Sequence, residues 1–328
     1  MTKTYDVVGI GNAVVDVISE ADDSYLDLMG IEKGIMQLVE RKRGEMLYAG
    51  MKDRVQAAGG SVANTLAGLG ALGLHTAFMG RVRDDALGRF YVDEMARVGC
   101  DFVNAPVAEG DLPTSRSMIF VSPDGERSMN TYLGISSDVG PEDVPEDVAA
   151  GTRIVFLEGY LFDKDNGKAA FRRAAERCRS AGGMAGITLS DPFCVDRHRD
   201  DFRSLVQELD YVIGNQQEWE SLYQTELSSA LEQAAAESGL IVCTRSGHDV
   251  VLVRKDEEAV APVQEITPVD ATGAGDQFAA GFLYGLATGA PLEVCGRMGC
   301  VAAAEVIGHI GPRPQANVKA LFEKEGLI

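Results

Sequence analysis

The sequence has few histidines and cysteines, and neither residue type is grouped. Among 328 residues there are six Cys and four His, with no CxxC pair. Because metal sites need such ligands at short, regular spacing, we expect buried free thiols and no structural zinc. Long apolar runs are also missing, since Ile241 to Cys243 and Val250 to Val253 are only strand-sized. The sequence therefore predicts no membrane-spanning helix.

Lysine and arginine are scarce as well. They number 30 against 50 Asp and Glu, which gives a formal net charge of −20. This balance argues against a nucleic-acid partner, since duplex binding relies on cations that neutralise phosphates. A single phosphate can still be held by backbone NH groups and a divalent cation. Because the first residues lead straight into a strand-like run with no signal core, we expect a cytoplasmic location.

Short β-branched runs alternate with longer Ala-rich stretches of helical period. The strand candidates are Tyr5 to Ile10, His75 to Gly80, Arg153 to Glu158, Met184 to Leu189, Tyr211 to Gly214, Leu240 to Thr244 and Val250 to Val253. The helix candidates are Ser61 to Leu72, Leu87 to Val98, Gly167 to Ala181, Ser228 to Ser238, Gln277 to Ala287 and Leu292 to Ile307. This alternation predicts a single α/β domain over residues 1–328, with three α/β/α layers and a mostly parallel sheet. Functional sites in such folds lie at the carboxyl ends of the strands.

Two segments interrupt the alternation, residues 14–38 and 102–130. The second contains two strand-like runs joined by Pro123-Asp124-Gly125, which is a hairpin signal because glycine readily adopts positive φ. We predict that the two segments form a small β lid over the main sheet.

The stretch from Pro268 to Asp276 runs directly into an amphipathic helix. Gly273, Ala274 and Gly275 have little or no side chain, so a phosphate can approach the free NH groups of the helix start. Asp276 falls in the first helical turn, where the macrodipole favours an ionised carboxylate. This combination suits a general base beside a phosphate site, although a tight turn with an N-terminal cap would share some of these residues.

A second candidate site follows the strand-like run Tyr211 to Gly214. Asn215 and Glu218 are three residues apart at a helix start, so both can reach one Mg²⁺ ion or its waters. The same pair is also typical of an N-cap residue with its capping-box partner.

A third candidate site combines a glycine pair with polar side chains. Gly59 and Gly60 let the backbone approach a polyol closely, and Asn64 offers both donors and acceptors to its hydroxyl groups. Asp16, after the first strand, can accept hydrogen bonds from two adjacent sugar hydroxyls. A glycine turn capped by Ser61, and a solvated loop carboxylate, are the structural alternatives.

Nucleotide-binding signatures of other folds are absent from the sequence. Gly68 to Gly73 spells GxGxxG but ends a helix, whereas a dinucleotide fingerprint follows a strand. No GxxxxGK[ST] motif and no set of protein-kinase loops occurs.

Two stretches resemble the signatures of the ribokinase or PfkB carbohydrate-kinase family, which includes the adenosine kinases. The more specific one is Asp270 to Asp276 followed by Gln277-Phe278-Ala279-Ala280-Gly281, and the other is Gly59 to Gly73. The resemblance covers nearly the whole chain, from Val8 to Pro314. It implies a ribokinase-like fold and an ATP-dependent phosphotransferase that acts on a sugar hydroxyl. ATP and Mg²⁺ would be its cofactors, with K⁺ as a further candidate.

The resemblance also implies roles for individual residues. Asp276 would be the base, and Gly273, Ala274 and Gly275 would form the anion hole. The substrate would contact Asn12, Asp16, Gly59, Gly60, Ser61 and Asn64. The nucleotide would contact Asn215, Thr244, Gly247, Thr272, Gly273 and Gly275. Mg²⁺ would lie near Asn215 and Glu218 through water, and Asp270 and Thr272 would border a monovalent cation.

The acceptor has two candidate classes. Gly11 to Asp16 and Gly34 to Leu38 are more similar to adenosine kinases, so we expect the 5′-hydroxyl of a nucleoside such as adenosine. Ser61-Val62-Ala63-Asn64 is closer to sugar kinases, which keeps a kinase for ribose, fructose or a ketosugar acid as the alternative. A non-catalytic sugar or nucleotide sensor is a third alternative, disfavoured because the base and the glycines are present. We expect a monomer or a lid-mediated homodimer.

Overall fold

The computed structural model describes residues 3–255, 257–264 and 266–328. Its strands are β1 Tyr5–Ile10, β2 Val14–Glu20, β3 Met36–Leu38, β4 Val55–Gly59, β5 Thr76–Met79, β6 Cys100–Phe102, β7 Ser115–Val121, β8 Arg127–Tyr132, β9 Thr152–Glu158, β10 Met184–Thr188, β11 Tyr211–Asn215, β12 Ile241–Arg245, β13 His248–Arg254 and β14 Glu257–Ala261. Its α-helices are α1 Asp23–Met29, α2 Arg41–Gly50, α3 Ser61–Ala71, α4 Ala86–Arg97, α5 Glu146–Ala150, α6 Asp165–Ser180, α7 Pro192–Arg197, α8 Arg199–Glu208, α9 Gln216–Tyr223, α10 Leu227–Glu237, α11 Ala274–Thr288, α12 Leu292–Ile307 and α13 Val318–Lys324.

The main sheet has nine strands in the order β14-β13-β12-β11-β10-β9-β1-β5-β6. The pairs from β12 to β6 are parallel, whereas β13 and β14 extend one edge in antiparallel pairing. The direction in which the chain adds strands reverses at β1. Strands β5 and β6 lie on one side of β1, and β9 to β14 lie on the other. Ligand sites in doubly wound sheets lie at the carboxyl edge near such a reversal.

Buried side chains cover both faces of the main sheet. Along β1, Val7 packs in a cluster with Leu66 of α3 and Phe282 of α11. Its neighbour Val8 packs in a second cluster that includes Phe171 of α6. Successive side chains of a strand point to opposite faces, so this split means that helices lie on both sides of the sheet. The predicted three-layer α/β/α fold with a mostly parallel sheet is confirmed.

A second sheet has five strands in the order β3-β8-β7-β2-β4. One face of it packs on helices α1 and α2 through Val15, Leu26 and Leu47. The other face carries Asp16, which is level with Ser117 of β7 and Ala57 of β4. We call this five-stranded sheet the lid sheet.

The lid sheet differs in extent from the segments 14–38 and 102–130 expected from the sequence. It includes β4, Val55–Gly59, which lies outside both segments, and Cys100–Phe102 belongs to the edge of the main sheet instead. The last residues of β4 are Ala and Gly, which have low strand propensity, so the hydrophobic pattern did not predict a strand there. None of the helices in the described residues has the length and apolar character needed to cross a membrane.

Candidate active site

A cavity of about 680 Å³ lies between the carboxyl edge of the main sheet and the lid sheet. It brings together most of the residues predicted from the sequence. Those lining it are Asn12, Asp16, Gly60, Ser61, Asn64, Asn215, Glu218, Thr244, Thr272, Gly273, Ala274, Gly275 and Asp276. Gly59, Gly247 and Asp270 do not line it, and Gly247 lies in the turn between β12 and β13.

The start of helix α11 forms one end of this cavity. Gly273 is its N-cap residue and has a φ of 79°, in the left-handed region. A Cβ atom at this position would lie 2.6 Å from Pro312, so glycine is required both for conformation and for space. The NH group of Ala274, predicted to take part in the anion hole, donates to the carbonyl oxygen of Ala271 at 3.2 Å instead, whereas the NH groups of Gly275 and Asp276 have no acceptor among the described residues. Together with the helix macrodipole, these NH groups form a site for an anion such as a phosphate.

Asp276 lies in the first turn of α11 and faces helix α3. Its Oδ1 accepts a hydrogen bond of 2.7 Å from Ser61, and its Oδ2 accepts one of 3.0 Å from the Asn64 amide. Burial raises the pKa of Asp276 to about 6, although both hydrogen bonds and the nearby Arg313 lower it. We expected the helix macrodipole to lower the pKa of Asp276. Burial has the larger effect, so the pKa is raised instead. A carboxylate with this pKa is ionised near pH 7 and basic enough to accept a proton.

Asp16 and the glycine pair lie on the lid side of the same cavity. A Cβ at Gly59 would come within 2.3 Å of the Asp16 carboxylate, so the missing side chain makes room for this acid. Gly60 has a φ of 99°, and a Cβ there would be 2.5 Å from the carbonyl oxygen of Asn12. Burial raises the pKa of Asp16 to about 7, against the lowering effects of Arg313 and Arg127.

Glu158 is a cavity residue that the sequence analysis missed. It ends strand β9 and is only 1% exposed. Its Oε1 accepts hydrogen bonds from the backbone NH of Asn12, at 2.6 Å, and from the Asn12 amide, at 2.8 Å. Burial raises its pKa to about 7. The available signal was its position as an acidic residue at the carboxyl end of a buried strand.

Asn215 and Glu218 form a complete capping box at the start of α9. Asn215 Oδ1 accepts from the Glu218 NH at 2.9 Å, and Glu218 accepts from both the NH and the side-chain amide of Asn215 at 2.8 Å. Glu218 is 4% exposed, and burial raises its pKa to about 7. The pair therefore has the geometry of an N-cap residue and its capping-box partner, which was the structural alternative to a Mg²⁺ site.

This geometry limits how the pair could serve Mg²⁺. In the described residues there is no group of three or more His, Cys, Asp or Glu side chains arranged to hold a metal. Both Glu218 oxygens already accept hydrogen bonds, so the pair fits contact through water better than direct coordination. That indirect role remains a prediction.

Asp270 lies outside the cavity and is held by three groups. Its Oδ1 accepts from the NH of Thr272 and its Oδ2 from the NH of Gly311, both at 2.9 Å. Oδ2 also forms an ion pair of 3.1 Å with Arg127 of the lid sheet. These contacts lower the pKa of Asp270 despite its burial. Because Arg127 already balances its charge, a K⁺ site beside Asp270 and Thr272 stays a prediction.

Three large, exposed apolar side chains line the cavity away from α11. Met36 and Leu38 of β3 line it from the lid sheet and are 44% and 54% exposed. Phe193 of α7, which follows strand β10 of the main sheet, also lines the cavity and is 74% exposed. Large exposed apolar side chains around a cavity are typical of a ligand site with a flat, apolar part.

The start of α11 can receive a phosphate and the Asp276 carboxylate lies beside it, so the fold and this cavity suit phosphoryl transfer to a small molecule. The pfkB family carbohydrate kinase model matches residues 32–319, and the chain belongs to this family. Kinases of this family are phosphotransferases with an alcohol group as acceptor, and they use ATP with Mg²⁺. The resemblance inferred from the sequence is confirmed.

Three relatives illustrate the range of the family. An uncharacterized sugar kinase of Archaeoglobus fulgidus is 30% identical over 253 residues, covering 75% of this chain and 96% of that protein. The crystal structure of a probable sugar kinase from Rhizobium etli is 42% identical, covers 100% of both chains and has a TM-score of 0.91. The crystal structure of adenosine kinase from Sinorhizobium meliloti is 44% identical, covers 98% and 99% of the two chains and has a TM-score of 0.89.

Proposed function

We propose that this protein transfers the γ-phosphoryl group of ATP to the 5′-hydroxyl of a nucleoside such as adenosine. The single observation that carries the proposal is the arrangement of the cavity. Asp276 and the helix start lie at one end of it, and the exposed apolar side chains Met36, Leu38 and Phe193 line part of its other walls. The likeness to the adenosine kinase of S. meliloti, at 44% identity over nearly the whole chain, supports the choice of a nucleoside.

The proposed reaction is an in-line transfer between two oxygens. Asp276 takes the proton of the acceptor hydroxyl as that oxygen attacks the γ-phosphorus, and ADP leaves with the electron pair of the broken P–O bond. The NH groups of Gly275 and Asp276 hold the charge that develops on the transferred phosphoryl group. Thr272 and Thr244 line the cavity and would contact the phosphates of the donor. Mg²⁺, when bound, neutralises charge on the phosphate oxygens, and Asn215 and Glu218 would hold its waters.

The sugar would lie between the lid sheet and α3. Asp16 can accept hydrogen bonds from two adjacent ribose hydroxyls. The missing side chains at Gly59 and Gly60 leave space for the Asp16 carboxylate and the Asn12 carbonyl oxygen, which shape this side of the cavity. Asn12 is held by Glu158 and by the hydroxyl of Ser136, and its second amide proton would be the donor for the sugar. Closure of the lid sheet would exclude water, which otherwise competes as acceptor.

The base would lie among the apolar side chains. Met36 and Leu38 of the lid sheet and Phe193 of α7 line the same cavity and offer apolar surface to a planar ring. A free sugar would leave this surface in contact with water, whereas a nucleobase would cover it. This difference favours a nucleoside over ribose or fructose.

A screen of acceptors by coupled ADP release tests the proposal. Adenosine, inosine and guanosine are compared with ribose and fructose, and the product is identified as a 5′-phosphate by ³¹P NMR. Ribose is the matched control, since it offers the same hydroxyls without a base. We expect kcat/KM for one nucleoside to exceed that for ribose by about 100-fold or more. Preference for a free sugar would contradict the nucleoside assignment and leave the phosphotransferase class intact.

A free-sugar kinase remains the second candidate, because the 42% identical structure from R. etli is called a probable sugar kinase. A non-catalytic sensor is disfavoured, since the carboxylate and the glycine helix start are both present. A cytoplasmic location, the single-domain assignment, the lid function of the second sheet and a monomeric or lid-mediated dimeric state all stay predictions.

A further inference from the structure

A short segment after α12 passes directly beneath the candidate active site. We call Gly311–Arg313 the C-terminal strap. The NH of Gly311 donates to Asp270 at 2.9 Å, and the carbonyl oxygen of Pro312 accepts from Gln277 of α11 at 3.1 Å. The strap therefore contacts both ends of the loop that carries the phosphate site.

Arg313 extends from the strap to the substrate side of the cavity. Its Nε donates to Oδ1 of Asn64 at 3.3 Å, and its Nη2 donates to the carbonyl oxygen of Ala58 in β4. One guanidinium thus joins helix α3 to an edge strand of the lid sheet. None of the motifs in the sequence analysis includes Arg313.

The contact with Arg313 decides how the Asn64 amide is turned. A guanidinium only donates hydrogen bonds, so the atom of Asn64 that faces it must be the oxygen. The amide nitrogen of Asn64 then faces Asp276, to which it donates at 3.0 Å. A donor at this position favours the ionised carboxylate, since a protonated oxygen would meet a second donor.

We infer that Arg313 is a positioning residue for phosphoryl transfer, which fixes the Asn64 amide towards Asp276 and supplies a positive charge beside Asp276 and Asp16. The inference rests on the proposed function, because it assigns Asp276 the role of the base. Arg313 acts through Asn64 and the local charge balance.

The charges around this group are mostly acidic. The titratable or charged groups near Asp276 and Arg313 are Asp16 on β2, Tyr91 and Glu94 on α4, Cys100 on β6, Glu158 on β9, Tyr160 after β9, and Arg127 of the lid sheet near Asp16. Arg313 lowers the pKa of both Asp276 and Asp16, and for Asp16 it has the largest lowering effect. Removing its charge therefore raises the pKa of the base.

The pH profile of kcat/KM tests this inference. Arg313→Met keeps apolar bulk but loses the charge and the hydrogen-bond donors. The midpoint of the acidic limb of its profile should therefore shift to higher pH by about one unit. Arg313→Lys keeps the charge, so its limb should stay near that of the wild type, while kcat falls because the two-point contact is lost. Arg172→Met, an exposed residue of α6, changes the net charge equally and should leave the profile unchanged.

The outcomes separate this inference from the proposed function. An unmoved limb in Arg313→Met, with Asp276→Asn inactive, overturns the role of Arg313 and leaves the base assignment standing. An active Asp276→Asn variant overturns both. Should Arg313→Met not fold, Arg313→Gln carries the same test, since it keeps donors but no charge. Failure of both variants to fold would make Arg313 a purely structural residue and would also overturn the inference.

Discussion

Replacement of Asp276 by Asn is the most direct test of the proposed chemistry. Asn has nearly the same shape, and its side chain can accept from Asn64 and donate to Ser61, whose hydroxyl also accepts. The two hydrogen bonds that hold residue 276 can therefore persist. What the variant loses is the ability to take a proton from the acceptor hydroxyl.

The size of the expected effect follows from the pKa of this carboxyl. Because burial raises the pKa to about 6, at pH 7.5 about 97% of the molecules carry the ionised base. Almost the whole contribution of the base is therefore lost in the variant. General bases contribute about 10²- to 10⁴-fold, so we expect kcat to fall by that factor, about 3 to 5 kcal/mol of barrier.

Stability should change in the opposite direction. The pKa of Asp276 is higher in the folded than in the unfolded state, so its contribution to stability is present below pH 3.8 and is lost as the pH rises towards 6. A neutral Asn avoids this loss. We therefore expect Asp276→Asn to unfold at the same or a higher temperature than the wild type at pH 7.5.

Three measurements complete this test. Coupled ADP release gives kcat, calorimetric titration gives the dissociation constants of ATP and the nucleoside, and thermal unfolding gives Tm. Ser61→Ala is the matched control, since it keeps the carboxylate and loses one hydrogen bond, so its turnover should fall only about tenfold. A kcat for Asp276→Asn within tenfold of the wild type would refute the base assignment.

Three further predictions address the buried acid, the helix start and the base site. The raised pKa of Glu158 means that wild-type stability falls as the pH rises from 4.5 to about 7. The Tm of Glu158→Gln should therefore gain on the wild type between pH 5 and pH 8, and a constant difference would contradict this. Gly273→Ala should lower kcat at least tenfold. Gly289, at the other end of α11, has a similar φ of 75° and open space around it, so Gly289→Ala should lower stability alone. Equal kcat values in the two variants would count against the phosphate site. Phe193→Ala should raise KM for a nucleoside about tenfold and leave KM for ATP unchanged. Leu28 is an exposed residue of α1, so Leu28→Ala should change neither constant. An unchanged nucleoside KM in Phe193→Ala would argue against the base site.

The layer order and one end of the site follow from local sequence. Strands such as Tyr5–Ile10 and helices such as Leu292–Ile307 agree closely with the hydrophobic periodicity, because each periodic segment buries its own apolar face. The glycines before Asp276 likewise predict a helix start that can bind an anion, since its NH groups are properties of the local backbone.

The assembly of the sugar side depends on contacts between distant segments. Glu158 meets Asn12 across 146 residues, and Arg313 meets Asn64 across 249 residues. No periodicity marks such pairs, since three of these residues lie in a loop or end a strand and Asn64 lies in the first turn of α3. The balance between burial and hydrogen bonding at Asp276 was likewise invisible in the sequence, because burial depends on how α3 and the lid sheet pack around it.

The sequence by itself thus determined an α/β chain with a phosphate-binding helix start and a carboxylate beside it, because adjacent residues create both. Only the tertiary structure decided that β4 belongs to the lid sheet, that Glu158 orders Asn12, and that Arg313 contacts Asn64. The physical reason is that these features arise from contacts between segments that are distant in the sequence. The local pattern around one residue does not indicate which distant residue it will contact.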